Sequence, residues 1–302
     1  MTTATTTSSL TDVGIRQLFI ESTGSGPDVV LVHGLGGTTS FFEPLVASLS
    51  ERFRVTRYDF SGHGRSPRAE ELTLESLTAE LALVIESQTA SGRAHLVAHS
   101  MGTLIAQQLA ATRPDLVQEV VLLGPIREQA EAAKDATRAR AALVREKGMS
   151  AVADTIATAA TAEQAAVGNP LVRPFVRELL LGQDPEAYAQ ACEALAAATN
   201  PDLTRIQSKV LLLTGVEDKV STPVSNEAIA AELDSAELLV APGTGHWTVP
   251  EAPDFVTAAV VDFLTNATLK PATKKTCACS HASPGCQSRR QQTTTMQIRK
   301  AP

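Results

Sequence analysis

Aromatic residues are scarce in this chain, with one tryptophan, two tyrosines and eight phenylalanines making up 4% of 302 residues. Cysteine is scarcer still. Three of the four lie beyond Lys270, as Cys277-Ala278-Cys279-Ser280-His281 and Cys286, and no paired C-x-x-C accompanies them, so neither a disulfide framework nor a zinc site is expected. Nor does any apolar run reach the roughly 20 residues that a membrane helix needs. The segment Met1 to Thr11 is rich in Thr and Ser without an apolar centre or an early arginine; it is expected to be a frayed lead rather than a targeting signal, which makes the cytoplasm the default location.

Charge is unevenly spread. The net charge is −7, yet the residues from Lys270 onward carry seven cations (270, 274, 275, 289, 290, 299, 300) and no acid, so the preceding body is more acidic than the total suggests. An acidic body argues against nucleic acid as a partner. The tail, rich in Thr, Ser, Gln and Lys/Arg without hydrophobic periodicity, is expected to be disordered and its cysteines reduced. With 43% hydrophobic residues the chain can bury one large core, or one core plus a subdomain.

Short apolar runs alternate with helical patterns along that core. Strands are expected near Arg16 to Glu21, Asp28 to His33, Arg54 to Phe60, Ala94 to His99, Glu119 to Leu123, Lys209 to Thr214 and Ala236 to Ala241; helices near Ser40 to Ser50, Leu74 to Thr89, Met101 to Thr112, Pro223 to Leu233 and Pro253 to Asn266. This alternation implies a mostly parallel, twisted sheet covered by helices on both faces, with the first strand able to pair antiparallel at the edge. Between Leu123 and Lys209 the rhythm breaks. That interval is alanine-rich, with helical windows at Arg127 to Lys147, Ser150 to Ala160, Leu171 to Leu181 and Pro185 to Ala198, and its insertion point makes it a lid over the carboxyl ends of the strands. The expected organisation is a disordered lead over 1–14, the core over 15–124 and 206–268, a helical cap over 125–205, and the disordered basic tail over 269–302.

One junction concentrates chemistry. Ala98-His99-Ser100-Met101-Gly102 joins an expected strand to an expected helix, and Ser100 at such a corner has the setting of a nucleophile elbow, with alanine in the first glycine place. Small neighbours are required because strand and helix approach closely around a strained turn. A serine hydroxyl needs a base, and the base an orienting acid. His246, in Gly245-His246-Trp247 after the last expected strand, is the base that chain order allows. The acid is Asp218 or its neighbour Glu217, both in the loop Gly215-Val216-Glu217-Asp218 at the end of another strand. Strand ends in an open α/β sheet share one crevice, so these distant residues can converge. The oxyanion of acyl transfer needs preplaced N–H donors, worth on the order of 3 kcal/mol each. Met101 N–H follows the nucleophile, and Leu35 N–H lies in His33-Gly34-Leu35-Gly36-Gly37, a loop that lacks the lysine and spacing of a phosphate site. His33, Gly34, His99, Phe41 and Trp247 are expected around the pocket, the two histidines packing rather than titrating. Arg138, Arg140, Arg173 and Arg177 are cap cations able to meet an anionic substrate, Arg138 and Arg173 the foremost. No metal and no cofactor are expected.

Val30 to Gly37, Tyr58-Asp59-Phe60-Ser61-Gly62-His63-Gly64-Arg65-Ser66, the elbow, Gly215 to Asp218 and Gly245 to Trp247 together resemble the α/β-hydrolase superfamily, over about Leu18 to Leu264. The resemblance implies an eight-stranded, mostly parallel sheet with a helical cap, and places the acid at Asp218, the fourth residue of G-x-x-D. The loop Tyr58 to Pro67, the segment Lys147 to Asp154 and the segment Asp184 to Ala198 resemble 3-oxoadipate enol-lactonases. That likeness implies cofactor-free opening of a small lactone, and carboxylates to be held. Where those enzymes commonly show Arg-Trp-Phe after the Ala-Val-Ala-Asp segment, Thr155 to Thr161 carries no aromatic residue, so the pocket wall differs. Serine at position 100 disfavours the dehalogenase and epoxide-hydrolase chemistries, which use aspartate there. A general carboxylesterase, a lactonase for a larger or macrocyclic ring, a carbon–carbon hydrolase of dienone acids, and a ligand-binding receptor or scaffold are the competing readings.

Overall fold

The computed structural model describes residues 5–268 and 295–300. Its centre is a sheet in the order β1-β2-β4-β3-β5-β6-β7-β8-β9, formed by β1 (Thr7–Val13), β2 (Arg16–Thr23), β3 (Asp28–Val32), β4 (Arg54–Tyr58), β5 (Ala94–His99), β6 (Val117–Leu123), β7 (Val210–Gly215), β8 (Ser235–Ala241) and β9 (Thr295–Lys300). β1 pairs antiparallel with β2 and β2 with β4, while every other pairing is parallel. β3, β5 and β7 are buried along their whole length, as strands covered on both faces must be, and their Val/Leu/Ala runs reflect it. Strands β1 to β8 make up the expected eight-stranded sheet.

Both ends of the chain differ from the expectation of disorder. Over 1–14, Thr7–Val13 forms β1 in register with β2, because Thr and Val favour extended backbone and Gly14, at φ 60°, supplies the positive φ of the two-residue turn between Val13 and Arg16. Over 269–302, Thr295–Lys300 forms β9 alongside β8, whose outer edge otherwise offers unpaired N–H and C=O groups. The cysteines and His281 of the tail lie outside the described residues.

The helices are α1 (Glu43–Ser50), α2 (Leu74–Gln88), α3 (Met101–Thr112), α4 (Glu131–Lys147), α5 (Ala153–Ala159), α6 (Glu163–Gly168), α7 (Val172–Leu181), α8 (Pro185–Ala197), α9 (Pro223–Glu232), α10 (Thr248–Glu251) and α11 (Pro253–Thr268). Two apolar clusters lie on opposite sides of the sheet. One joins the alternate β3 residues Val30 and Val32 to α2, α3, α9 and one side of α8; the other joins Val29 and Leu31 to α1, α11, α4, α5, α7 and the other side of α8. α4 to α8 are inserted between β6 and β7, where the alanine-rich interval places them, although the short α6 is an element that the sequence pattern does not announce. Among the described residues, no helix is long and apolar enough to cross a membrane.

α3 passes so close to β3 that a Cβ on Gly102 would lie 2.4 Å from the His33 carbonyl oxygen and 2.5 Å from that of Val32. Backbone cannot yield as a side-chain end can. Gly102→Ala is therefore expected to lower stability by about 1–3 kcal/mol through overpacking, against the ~1 kcal/mol that alanine ordinarily gains over glycine within a helix. Denaturant unfolding checks this, and an equal or higher midpoint contradicts the close approach.

Candidate active site

Ser100 stands between the end of β5 and the start of α3 at φ 49° and ψ −120°, and it is the one non-glycine residue with positive φ among the described residues. Its N–H donates to Leu123 O at 3.0 Å and its carbonyl accepts Thr103 N–H at 2.8 Å, so the neighbouring strand β6 and the first turn of α3 hold the corner. The side chain makes no capping bond to α3. It points instead to His246. Space for the corner comes from Gly34, where a Cβ would stand 2.8 Å from Ser100 Cβ.

His246 Nε2 lies 2.8 Å from Ser100 Oγ, and His246 Nδ1 lies 2.8 Å from Asp218 Oδ2. Of the two candidates for the acid, Asp218 is buried against the ring, whereas Glu217 is exposed. Burial pushes the Asp218 carboxyl upward, but the His246 ring beside it and the Ser221 and Val220 N–H groups on Oδ1 outweigh this and hold it below the usual range. An ionised carboxylate only accepts hydrogen bonds, so the ring proton sits on Nδ1 and the Nε2 lone pair faces the serine hydroxyl. Further support comes from Thr214, whose hydroxyl lies 3.3 Å from Asp218 Oδ2 and 2.5 Å from Ser221 O. At Gly124, with φ 55°, a Cβ would lie 3.2 Å from both Nδ1 and Cε1 of His246, so a side chain there would crowd the ring. Gly124 follows β6 without a motif, and sequence reasoning passes over it.

Gly34 to Gly37 forms a turn closed by Gly37 N–H to Gly34 O at 2.9 Å, with Gly36 at φ 75° in the position that a type II turn reserves for glycine. Leu35, half-buried at the first corner of this turn, follows the glycine that abuts Ser100, while Met101 opens α3, whose first-turn N–H groups have no acceptor within the helix. His33 braces the turn from below, with Nδ1 2.8 Å from Gly34 O and Nε2 accepting Phe60 N–H at 3.0 Å. His99 donates from Nε2 to His246 O at 2.9 Å and stacks on Phe41, ring centroids 4.3 Å apart. Trp247 packs against both. Phe41 and Trp247 are buried in the core cluster, so they support the site from behind.

The inserted helices reach the site at two places. Leu180 and Tyr188 press against Gly36, and Gln183 Nε2 lies 3.3 Å from Gly36 O; Ala160 O accepts His246 N–H at 2.8 Å. Gln183 is a contact that its sequence context does not reveal. The foremost cap cations are occupied elsewhere. Arg138 pairs with Asp135 on an exposed helix face, Arg173 binds Glu163 and Thr161, and Arg177 binds Asp154 and Glu178. Arg140 differs: it is half-buried, beside Cys192 and over the Tyr188 ring at 5.9 Å.

Comparison with known proteins agrees with this fold. Residues 27–253 match the family model described as the alpha/beta hydrolase fold. The chain is 29% identical over 245 residues to a 3-oxoadipate enol-lactonase 2 of Acinetobacter baylyi, covering 78% of this chain and 88% of the relative. A 2-(acetamidomethylene)succinate hydrolase of Mesorhizobium japonicum is 26% identical over 268 residues, covering 84% and 93%. Among solved structures, a thermophilic esterase from Thermogutta terrifontis, malate bound, superposes with a TM-score of 0.79 at 27% identity, over 87% of this chain and 99% of that one. The enol-lactonase from Burkholderia xenovorans LB400 does so with a TM-score of 0.77 at 29% identity, over 86% and 100%.

Four buried histidines give the fold a defined response to acid. Burial lowers His33 to about 4, His95 to about 4, His63 to about 3 and His99 to about 3; neighbouring positive charge adds to the effect, from Arg93 at His95, His33 at His63 and His246 at His99. An unfolded histidine takes up its proton near ~6.5, so between that pH and the folded values the unfolded chain binds protons that the native state refuses. Stability from neutral imidazole is thus lost as pH falls through this window, by up to about 1.4 kcal/mol per pH unit for each histidine. Denaturant midpoints are expected to drop between pH 7 and pH 5, and His63→Asn to flatten the slope; a level profile for the wild type contradicts neutral burial.

Proposed function

The chain belongs to the α/β-hydrolase family, and from that premise we propose that it hydrolyses a small lactone or ester through an acyl-enzyme, in the manner of 3-oxoadipate enol-lactonases. The observation that carries this reading is the unbroken run of hydrogen bonds from Ser100 Oγ through His246 to Asp218, 2.8 Å at each step. In the first step His246 Nε2 takes the Ser100 proton as Oγ attacks the carbonyl. Asp218 holds the ring in the required tautomer and stabilises its charged form. The developing oxyanion is received by the N–H groups of Met101 and Leu35. His246 then returns its proton to the leaving oxygen, and water, deprotonated by the same ring, releases the acid. In an enol lactone the leaving group is an enol, and its tautomerisation to a ketone draws the opening forward. Side chains and main-chain amides suffice for every one of these steps.

The helices between residues 125 and 205 act as the cap over this centre. Their bonds to the Gly36 turn and to His246 support that role. A general carboxylesterase is the second reading, favoured by the likeness to the Thermogutta esterase and by the engagement of Arg138 and Arg173 with carboxylates of the chain itself.

Fluorophosphonate labelling and turnover of p-nitrophenyl acetate test the shared chemistry. Ser100→Ala is expected to abolish labelling and to lower kcat by roughly 10⁴- to 10⁶-fold, and Asp218→Asn by about 10⁴-fold. Turnover undiminished in Ser100→Ala overturns the mechanism, and a wild type that neither labels nor turns over favours a binding role for the pocket. Rates on small anionic lactones, neutral macrocyclic lactones and simple esters separate the two readings: preference for neutral esters retires the enol-lactonase and leaves the serine chemistry standing.

A further inference from the structure

The backbone amides of residues 245 to 247 are all tied down, and one carboxylate holds two of the three. Gly245 N–H donates to Glu251 Oε2 at 2.7 Å and Trp247 N–H to Glu251 Oε1 at 2.9 Å, so Glu251 grips the residues on either side of the imidazole. A third donor comes from the inserted helices: Ala162 N–H reaches the same Oε2 at 2.8 Å. Two residues earlier, Ala160 O accepts His246 N–H, which makes the segment between α5 and α6 a direct neighbour of the His246 turn. The fit is close. A Cβ on Gly245 would meet Ala162 N at 2.7 Å, Ala160 O at 2.8 Å and Glu251 Oε2 at 3.0 Å, so glycine is the residue that lets the three segments meet. α10 supplies the geometry, since Glu251 N–H donates back to Trp247 O at 3.1 Å and folds the side chain over its own loop.

We propose that Glu251 is a positioning residue that keeps the His246 ring in register with Ser100 and couples that register to the seating of residues 160–162 of the cap. The proposal rests on the reading of His246 as the base. Its physical core is a count of donors: three N–H groups converge on two oxygens of a half-buried side chain, a place for acceptors alone. Burial pushes the Glu251 carboxyl upward, opposed by the amides of Ala162, Gly245 and Trp247 and by the His246 charge. An amide of the same shape would turn an NH₂ toward an N–H. With Glu251→Gln, either Trp247 or the Gly245 and Ala162 pair loses its acceptor.

The test compares Glu251→Gln and Ala162→Pro with the wild type. Proline suits the φ of −67° and ψ of 143° at residue 162; it removes the one cap donor and puts a ring carbon where that N–H reached Glu251 Oε2 at 2.8 Å, so the cap segment and the carboxylate must part. For p-nitrophenyl acetate, Glu251→Gln is expected to lower kcat about 10- to 100-fold, as loss of a group that orients a reacting side chain does, with KM unchanged. Ala162→Pro is expected to lower kcat by a smaller factor. Thermal midpoints should stay close to the wild type. Two readouts need no turnover: amide hydrogen exchange should quicken at Gly245 and Trp247 in the Gln variant but not across the sheet, and the far-downfield proton signal of His246 Nδ1–H should broaden. Wild-type kcat in Glu251→Gln overturns the positioning role, as does a loss of exchange protection spread over the whole sheet; wild-type kcat in a folded Ala162→Pro overturns the coupling. Failure of the wild type on every ester sinks the hydrolase reading instead, and the exchange and proton measurements still decide the clamp.

Discussion

Holding a serine at φ 49° and ψ −120° costs on the order of 1–3 kcal/mol, and the surrounding fold must over-determine the turn for it to persist. It does so from three directions. β6 accepts the Ser100 N–H, the first turn of α3 donates to its carbonyl, and Gly34 and Gly102 withdraw the side chains that would otherwise fill the corner. A relaxed backbone at residue 100 would swing Oγ away from His246. The strained corner is thus the constraint on which the hydrogen bonds to His246 and Asp218 depend.

The sheet explains why such distant residues can answer one another. β5, β6, β7 and β8 run parallel, so Ser100, Gly124, Asp218 and His246 follow the carboxyl ends of neighbouring strands and emerge on the same edge. Each then receives a local fixture. Val220 and Ser221 N–H groups fix Asp218, His99 and Ala160 fix the backbone of His246, and His33 fixes the turn that carries Leu35. These fixtures are neutral imidazoles and main-chain amide groups, already hydrogen-bonded before any substrate arrives. Such preorganisation is what makes electrostatic stabilisation of a transition state effective.

How much of this could be read in the sequence follows from how far each signal travels. The seven strands from β2 to β8 are legible because a buried parallel strand is a local apolar run, and the elbow because its small residues are adjacent. Between Asp218 and Glu217 the loop alone leaves the choice open and only the family pattern favours Asp218; that one is turned inward and the other outward within two consecutive positions is what the fold adds. β1 was hidden by its Thr and Ser residues, which read as solvated until β2 offers a partner edge. Gln183 and Ala162 are harder still. Their role is a contact between segments far apart in the chain, made partly by backbone atoms, and no residue type marks it. The cap arginines mislead for the opposite reason: a guanidinium is conspicuous in sequence, but Arg138, Arg173 and Arg177 meet carboxylates of the inserted helices themselves.

The central claim is that Ser100 becomes covalently acylated. Mixing the protein with p-nitrophenyl acetate, quenching in acid within the first turnover and mapping the peptides by mass spectrometry tests it most directly. The account predicts one acetyl group on the peptide that contains Ser100, absent when the quench follows exhaustion of the ester. Turnover with no adduct at any time, or with the acetyl group on another residue, contradicts it.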